Sequence, residues 1–230
     1  MKTIGILGGM SAASTALYYD VLNRGARARL GGLHSADLLI RSLDFALVEE
    51  MQAAGDWDAA GLMLNREARA LEAGGADFLM LATNTMHKLV ESMLDGVSIP
   101  FLHIADATAH QISAAGLKRP GLMATAYTME QSFYTDRLRT AGLDPMLPGP
   151  EDRAETHRII YDELCVGMVR EESRQSYVEI AGRLAKRGAD CVILGCTEVG
   201  LLLNAANAPL PVFDTTEIHC AAALELALAA

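Results

Sequence analysis

The sequence contains no apolar run near the roughly 20 residues that cross a bilayer, no CxxC pair among its four cysteines, no HxH or HExxH among its six histidines, and no stripe of basic residues. Each absence removes a class of protein. Without a spanning run, and with Met1–Ser11 reaching Gly8-Gly9 after only a short apolar stretch, a soluble cytoplasmic protein is expected. Cys165, Cys191, Cys196 and Cys220 lie in a 230-residue chain that needs no staples, so free thiols are expected. The scattered histidines match no metal-ligand spacing, and no metal is expected. Only 19 Lys and Arg stand against 29 Asp and Glu, for a formal charge of -10 that repels phosphate backbones and anionic lipid. Nucleic acid and membrane surfaces are therefore not expected as partners. A small anion remains admissible where backbone N–H groups or one placed cation receive it.

What is present is 51% hydrophobic, enough for one large core or two small ones. Short β-rich runs alternate with helical stretches, the pattern of strand-helix units around a parallel sheet. Strands are predicted at Thr3–Leu7, Asp37–Arg41, Phe78–Ala82, Phe101–His103, Gly121–Ala124, Cys191–Gly195 and Val212–Asp214. Helices are predicted at Ser11–Leu30, Trp57–Ala73, Asn84–Asp95, Asp106–Ala115, Met129–Thr140, Ala154–Arg187 with a break near Val169–Glu172, and Thr216–Leu228.

The chain also resembles itself. Gly75-Ala-Asp-Phe-Leu-Met-Leu-Ala-Thr83-Asn84-Thr85 lies over Gly188-Ala-Asp-Cys-Val-Ile-Leu-Gly-Cys196-Thr197-Glu198 at an offset of 113. Ile99–His103 lies over Leu210–Asp214 at 111, and Gly5-Ile-Leu-Gly over Gly121-Leu-Met-Ala at 116. Three ordered landmarks at nearly constant spacing indicate a duplicated half. The expected fold is α/β, two pseudo-twofold-related lobes, each a parallel sheet flanked by helices, with the active site between them. Residues 1–100 plus about 215–230 form the first lobe and residues 101–214 the second. Ligands bind beyond the C-terminal ends of parallel strands, which brings Thr83 and Cys196 to the site.

Inverting a stereocentre needs one group to remove an α-proton and another to return a proton to the opposite face. Cysteine suits that task, because a helix N-terminus lowers its reference pKa of ~8.5. Cys196 stands between an apolar strand and Thr197-Glu198, where a helix is expected to begin. Cys165, Cys191 and Cys220 lie within elements and read as core cysteines.

Gly8-Gly9-Met10-Ser11, Thr83-Asn84-Thr85-Met86-His87 and Gly195-Cys196-Thr197-Glu198 together resemble the signatures of the aspartate/glutamate racemase family. His103–Thr108 and Tyr127–Gln131 extend the likeness nearly end to end. It is most like the enterobacterial broad-specificity or L-aspartate/glutamate-specific members. The resemblance implies an isomerase that racemises amino acids without pyridoxal phosphate or any other cofactor, with Thr83 and Cys196 as opposed acid/base residues. Most relatives carry cysteine where Thr83 stands. A hydroxyl is far less acidic than a thiol, so turnover is expected to favour the enantiomer whose α-proton faces Cys196; Thr83 also reads as a helix N-cap.

Asn84, Thr85 and Thr197 stand at expected helix starts, as caps or as donors to the substrate α-carboxylate. Glu198 caps its own helix or holds the substrate ammonium. Met10, Ser11, Thr125 and Gln52 complete the expected binding set. The GxxGGMS spacing is not GxGxxG, which argues against a dinucleotide. His87 and His103 are placed behind the site, His87 being the next candidate base. In aspartate-selective relatives, cations after the second strand and from the long second-half helix bind the distal carboxylate; Phe45–Gln52 and Tyr161–Val169 contain none. A neutral or mixed substrate range is expected unless Arg41, Lys88 or Arg153 reaches in. The expected partner is a small-molecule amino-acid substrate, aspartate/glutamate or a broader amino-acid range, with a homodimer left open. A single-cysteine decarboxylase resembling the arylmalonate enzymes and a non-catalytic amino-acid-binding protein are the competing readings.

Overall fold

The computed structural model describes residues 1–229. Two compact units appear, one made of Met1–Ile104 with the chain from His219 onward, the other of Ala105–Ile218.

In the first unit the chain runs β1 (Ile4–Gly8), α1 (Ala12–Leu30), β2 (Leu38–Ser42), α2 (Phe45–Ala54), α3 (Trp57–Ala73), β3 (Phe78–Leu81), a 3-10 turn at Thr85–Leu89, α4 (Val90–Met93) and β4 (Phe101–Leu102). The four strands pair in parallel in the order β2-β1-β3-β4. Every residue of β1 and β3 is buried, because strand side chains alternate between two covered faces. Ile4, Ile6, Phe78 and Met80 pack with Tyr18, Leu22 and Ala26 of α1 and with Cys220, Ala223 and Leu224 of the last helix. Leu7, Leu79 and Leu81 pack with Val48 of α2 and Ala60, Leu64 and Ala68 of α3.

The second unit continues with α5 (Ile104–Ala114), β5 (Pro120–Ala124), α6 (Ala126–Glu130), α7 (Ser132–Thr140), α8 (Pro150–Asp162), a 3-10 turn at Leu164–Val166, α9 (Glu171–Lys186), β6 (Cys191–Gly195), a 3-10 turn at Val199–Leu201 and β7 (Val212–Asp214); α10 (Thr215–Leu228) follows and from His219 belongs to the first unit. The parallel sheet of the second unit has the order β5-β6-β7. Met123, Val192 and Leu194 pack with Ile159 and Ile160 of α8 and Tyr177, Ile180 and Leu184 of α9.

The self-resemblance of the sequence holds at the level of strand register. Ile4 pairs with Phe78 in the first unit as Pro120 pairs with Cys191 in the second, the positions related by 116 and 113. Leu79 pairs with Phe101 as Val192 pairs with Val212. Thr83 and Cys196 therefore occupy equivalent places, each two residues past a paired leucine, Leu81 and Leu194.

Some expectations differ from the structure. Helix α2 was not predicted, although Asp44 caps it by accepting from the Ala46 N–H at 3.1 Å. The stretch predicted as Met129–Thr140 starts earlier and breaks between α6 and α7. The long helix begins at Pro150, which suits a first helical position, and breaks across 163–170, where Gly167 takes φ 78°. The expected helix from Asn84 is a five-residue 3-10 turn followed by a single α turn. Among the described residues no helix is long and apolar enough to cross a membrane.

His219 links the elements of the first unit. It is fully buried, its Nδ1 lying 3.0 Å from the Tyr18 hydroxyl and its Nε2 3.0 Å from the Leu102 carbonyl. A carbonyl only accepts, so Nε2 carries the proton and Nδ1 accepts from Tyr18 in the neutral ring. Burial pushes its pKa down to about 4, opposed by the bond to Leu102. The unfolded chain takes up this proton near the ordinary histidine value of about 6.5 and so binds more protons than the fold between the two values. The contribution is complete above about pH 6.5 and lost as pH falls toward 4. Denaturant unfolding at pH 7.5 and pH 4.5 should therefore show wild type losing about 2 kcal/mol more stability than His219→Gln over that interval; parallel losses would contradict this role.

Candidate active site

In the first unit the loop after β1 is drawn onto the tip of β3 by a chain of hydrogen bonds. Gly9 takes φ 86°, and a Cβ there would lie 2.1 Å from the Leu43 nitrogen, so the loop closes only with glycine. The Gly9 N–H donates to Thr15 Oγ1 at 2.7 Å, and that hydroxyl donates to the Ser11 carbonyl at 3.0 Å. Ser11 caps α1 by accepting from the Ser14 N–H at 3.1 Å, and Ser14 Oγ donates to the Ala82 carbonyl at 3.0 Å. Met10 and Ser11, both buried, are thereby held beside the residue that precedes Thr83. Thr83 itself is half-buried. Its carbonyl lies 2.7 Å from His87 Nδ1, and His87 Nε2 accepts the Ile104 N–H at 3.3 Å.

Asn84 and Thr85 are buried at the start of the 3-10 turn, and Asn84 makes no side-chain cap bond. Thr83 lies outside the turn it was expected to cap. Gln52 reaches the same turn from α2, its Nε2 lying 2.9 Å from Met86 Sδ. With both ring nitrogens of His87 committed to backbone groups, that residue is not placed as a base.

In the second unit Cys196 follows β6. Its thiol donates to Glu198 Oε2 at 3.1 Å, and Thr197 Oγ1 donates to the same oxygen at 2.5 Å. Glu198 is buried and makes no side-chain cap bond, which removes the capping alternative. Thr125, at the end of the neighbouring strand β5, caps α6 by accepting from the Thr128 N–H at 3.4 Å.

The electrostatics overturn one expectation. Cys196 is not an activated thiolate: burial, then the charge and hydrogen bond of Glu198, then Cys165, hold its thiol well above its ordinary range. The physical reason is local. No α-helix follows the strand, only the 3-10 turn Val199–Leu201, too short to supply a substantial macrodipole, while a carboxylate lies within hydrogen-bond reach. Cys165, read from sequence as a core cysteine, also belongs near this tip. Burial pushes its thiol to about 12 and Glu198 contributes. Nothing in its sequence context marked it, because the 3-10 turn that carries it interrupts what reads as continuous helix.

The three cations that sequence analysis named are each engaged. Arg41 makes two hydrogen-bonded contacts to Glu67, at 2.6 and 2.7 Å. The Lys88 ammonium sits 3.7 Å above the Trp57 ring, a cation–π contact. Arg153 donates to Glu130 at 3.0 Å.

Comparison with known proteins adds a second line. The model of the Asp/Glu/Hydantoin racemase family matches residues 7–223. The broad specificity amino-acid racemase RacX of Bacillus subtilis (strain 168) is 24% identical over 218 residues, covering 93% of this chain and 92% of the relative. Among solved structures, a Yersinia pestis protein assigned as an Asp/Glu racemase is 46% identical, with full coverage of both chains and a TM-score of 0.93. An aspartate racemase homologue from Pyrococcus horikoshii OT3 is 33% identical, with 99% of each chain covered and a TM-score of 0.86.

The Cys196–Glu198 contact carries its own test. Removing a nearby negative charge favours a thiolate, and such a partner shifts a pKa by roughly one to three units. Glu198→Gln should lower the pH midpoint of Cys196 alkylation by iodoacetamide by at least about one pH unit, with tandem mass spectrometry scoring Cys196 separately from the other thiols. An unchanged or higher midpoint would show that Glu198 does not hold the proton on sulfur.

Proposed function

Since the chain belongs to the Asp/Glu/hydantoin racemase family, we propose that it is an amino-acid racemase that moves the α-proton with its own side chains, Cys196 serving one face of the α-carbon and Thr83 the other. The observation that carries this reading is the Cys196 thiol bonded to Glu198 at the strand tip whose register equivalent ends in Thr83. An acid/base pair so derived needs no cofactor to collect and return a proton.

Each neighbour has a role in the proposal. Asn84, Thr85 and Thr197 donate to the substrate α-carboxylate, and the spread of carbanion charge onto that group lowers the barrier to proton loss. Met10, Ser11, Gln52 and Thr125 line the approach. Glu198 receives the substrate ammonium. In the empty site burial, then the Glu198 charge, keep Cys196 protonated; a bound ammonium offsets the second of these and favours the thiolate, the thiol proton leaving to solvent as substrate binds. The thiol is thus made a competent base by the substrate it acts on. Thr83 has a much less acidic hydroxyl, so exchange at its face is the slower of the two.

The engagement of Arg41, Lys88 and Arg153 by Glu67, Trp57 and Glu130 supports a substrate range of neutral or mixed side chains. The breadth named for the Bacillus subtilis relative is in keeping with it.

The assay is α-proton exchange in deuterium oxide over a panel of L and D amino acids. Cys196→Ala should lower exchange at least ~100-fold, the lower range for loss of a positioned acid/base group, with the fold intact. Thr83→Cys should raise exchange from the slower enantiomer and bring the two initial rates closer together, without changing the equilibrium between them. Bound amino acid without exchange would leave a binding protein, and turnover of disubstituted malonates in place of exchange would leave a decarboxylase.

A further inference from the structure

A cluster that the mechanism above does not use lies under the Thr83 tip. His87, His103 and His219 are 3%, 5% and 0% exposed. The His87 ring lies 4.5 Å from that of His103, 5.6 Å from Phe101 and 6.1 Å from His219, centroid to centroid. His87 sits in the 3-10 turn four residues past Thr83. Because Nε2 accepts the Ile104 N–H, that nitrogen carries no proton. The neutral ring then holds its proton on Nδ1 and donates it to the Thr83 carbonyl at 2.7 Å. One imidazole therefore ties the turn after β3 to the start of α5.

Its anchor point matters because a peptide is planar. The Thr83–Asn84 peptide is trans, so holding the Thr83 carbonyl toward His87 turns the Asn84 N–H to the opposite side. The ring thus orients both the Thr83 backbone and the amide next to it. Proton transfer at a hydroxyl, whose pKa lies far from neutrality, gains from a fixed geometry at the reacting group.

The duplicated unit shows that this device belongs to one tip alone. At the offset of 113 His87 falls on Gly200, and at 111 His103 falls on Asp214. A Cβ at Gly200 would lie 3.0 Å from Asp214 Oδ2, so the position equivalent to His87 carries no side chain and no imidazole serves the Cys196 tip from it.

We propose that His87 is the positioning residue for proton transfer at the Thr83 tip, its neutral ring clamping the Thr83 carbonyl to the Ile104 N–H, and that transfer at Cys196 does not depend on it. This inference rests on the racemase reading. It assigns His87 no proton transfer to substrate.

The test compares His87→Gln, whose amide supplies a neutral donor and acceptor, with His87→Phe, which fills the space among the rings and supplies neither. Exchange in deuterium oxide is measured for L and D substrate separately, in wild type and in a Thr83→Cys background where the slower face is easier to read. The enantiomer whose exchange falls in Thr83→Ala marks the Thr83 face. His87→Phe should lower exchange at that face tenfold or more and leave the other within threefold, and His87→Gln should restore the first to within threefold of its parent. Equal losses at both faces, no loss in His87→Phe, or a His87→Gln variant as impaired as His87→Phe would overturn the proposal. Should His87→Phe fail to fold, imidazole nitrogen NMR of wild type decides: the neutral Nδ1–H form is expected, and the Nε2–H form or the cation would overturn it. Absence of exchange in wild type overturns the racemase reading and this inference with it; normal exchange with an unmoved face ratio in His87→Phe overturns this inference alone.

Discussion

Strands covered on both faces leave the chain few places to be polar. In β1, β3, β5 and β6 every residue is buried, their backbone groups are spent on parallel ladders, and a polar side chain inserted among them would lose its water without a partner. The polarity that chemistry requires is therefore confined to the ends. At the C-terminal ends it appears at once, as Thr83-Asn84-Thr85 after β3, Thr125 after β5 and Cys196-Thr197-Glu198 after β6. The hydrophobic strands dictate where reactive groups are tolerated as much as they hold the sheets together.

Within that constraint the two units have diverged. The same register delivers residue 83 and residue 196 to equivalent tips, yet their surroundings differ in charge and in support. Cys196 is bonded to a carboxylate and near a second thiol that burial, and then the same carboxylate, push up. Thr83 is braced through its carbonyl by an imidazole. A thiol beside a carboxylate is governed by electrostatics, and a hydroxyl beside a clamped turn is governed by geometry. Unequal treatment of the two enantiomers follows from that division under the proposed mechanism.

Much of this was legible in the residues. Alternation of apolar runs with helical stretches located all seven strands to within a few positions, because a strand buried on both faces is a near-continuous hydrophobic run. The repeat was visible because register requires Gly-Ala-Asp and Pro landmarks to keep their spacing. What escaped was local and short. Helix α2 has no strong periodicity, and its one signal, Asp44, stands among residues that read as loop. The 3-10 turns after β3 and β6 look like helix starts in sequence, so the helix-terminus argument for an activated Cys196 looked sound. Burial of the sulfur, and then the Glu198 carboxylate bonded to it, reverse it. Cys165 lacked any motif of its own, and His87, though it closes the Thr83–His87 motif, read only as a reserve base; the significance of both lies in what folding places beside them.

The central claim is that two different side chains handle the α-proton on opposite faces, and isotope partition tests it most directly. One pure enantiomer is incubated in deuterium oxide, and both product and recovered substrate are analysed at early conversion. Two monoprotic residues that take from one face and give to the other should yield product carrying deuterium at Cα throughout, while deuterium enters recovered substrate more slowly than product forms. Deuterium appearing equally in both, or product formed with the original proton retained, would show that a single group serves both faces and would contradict the account.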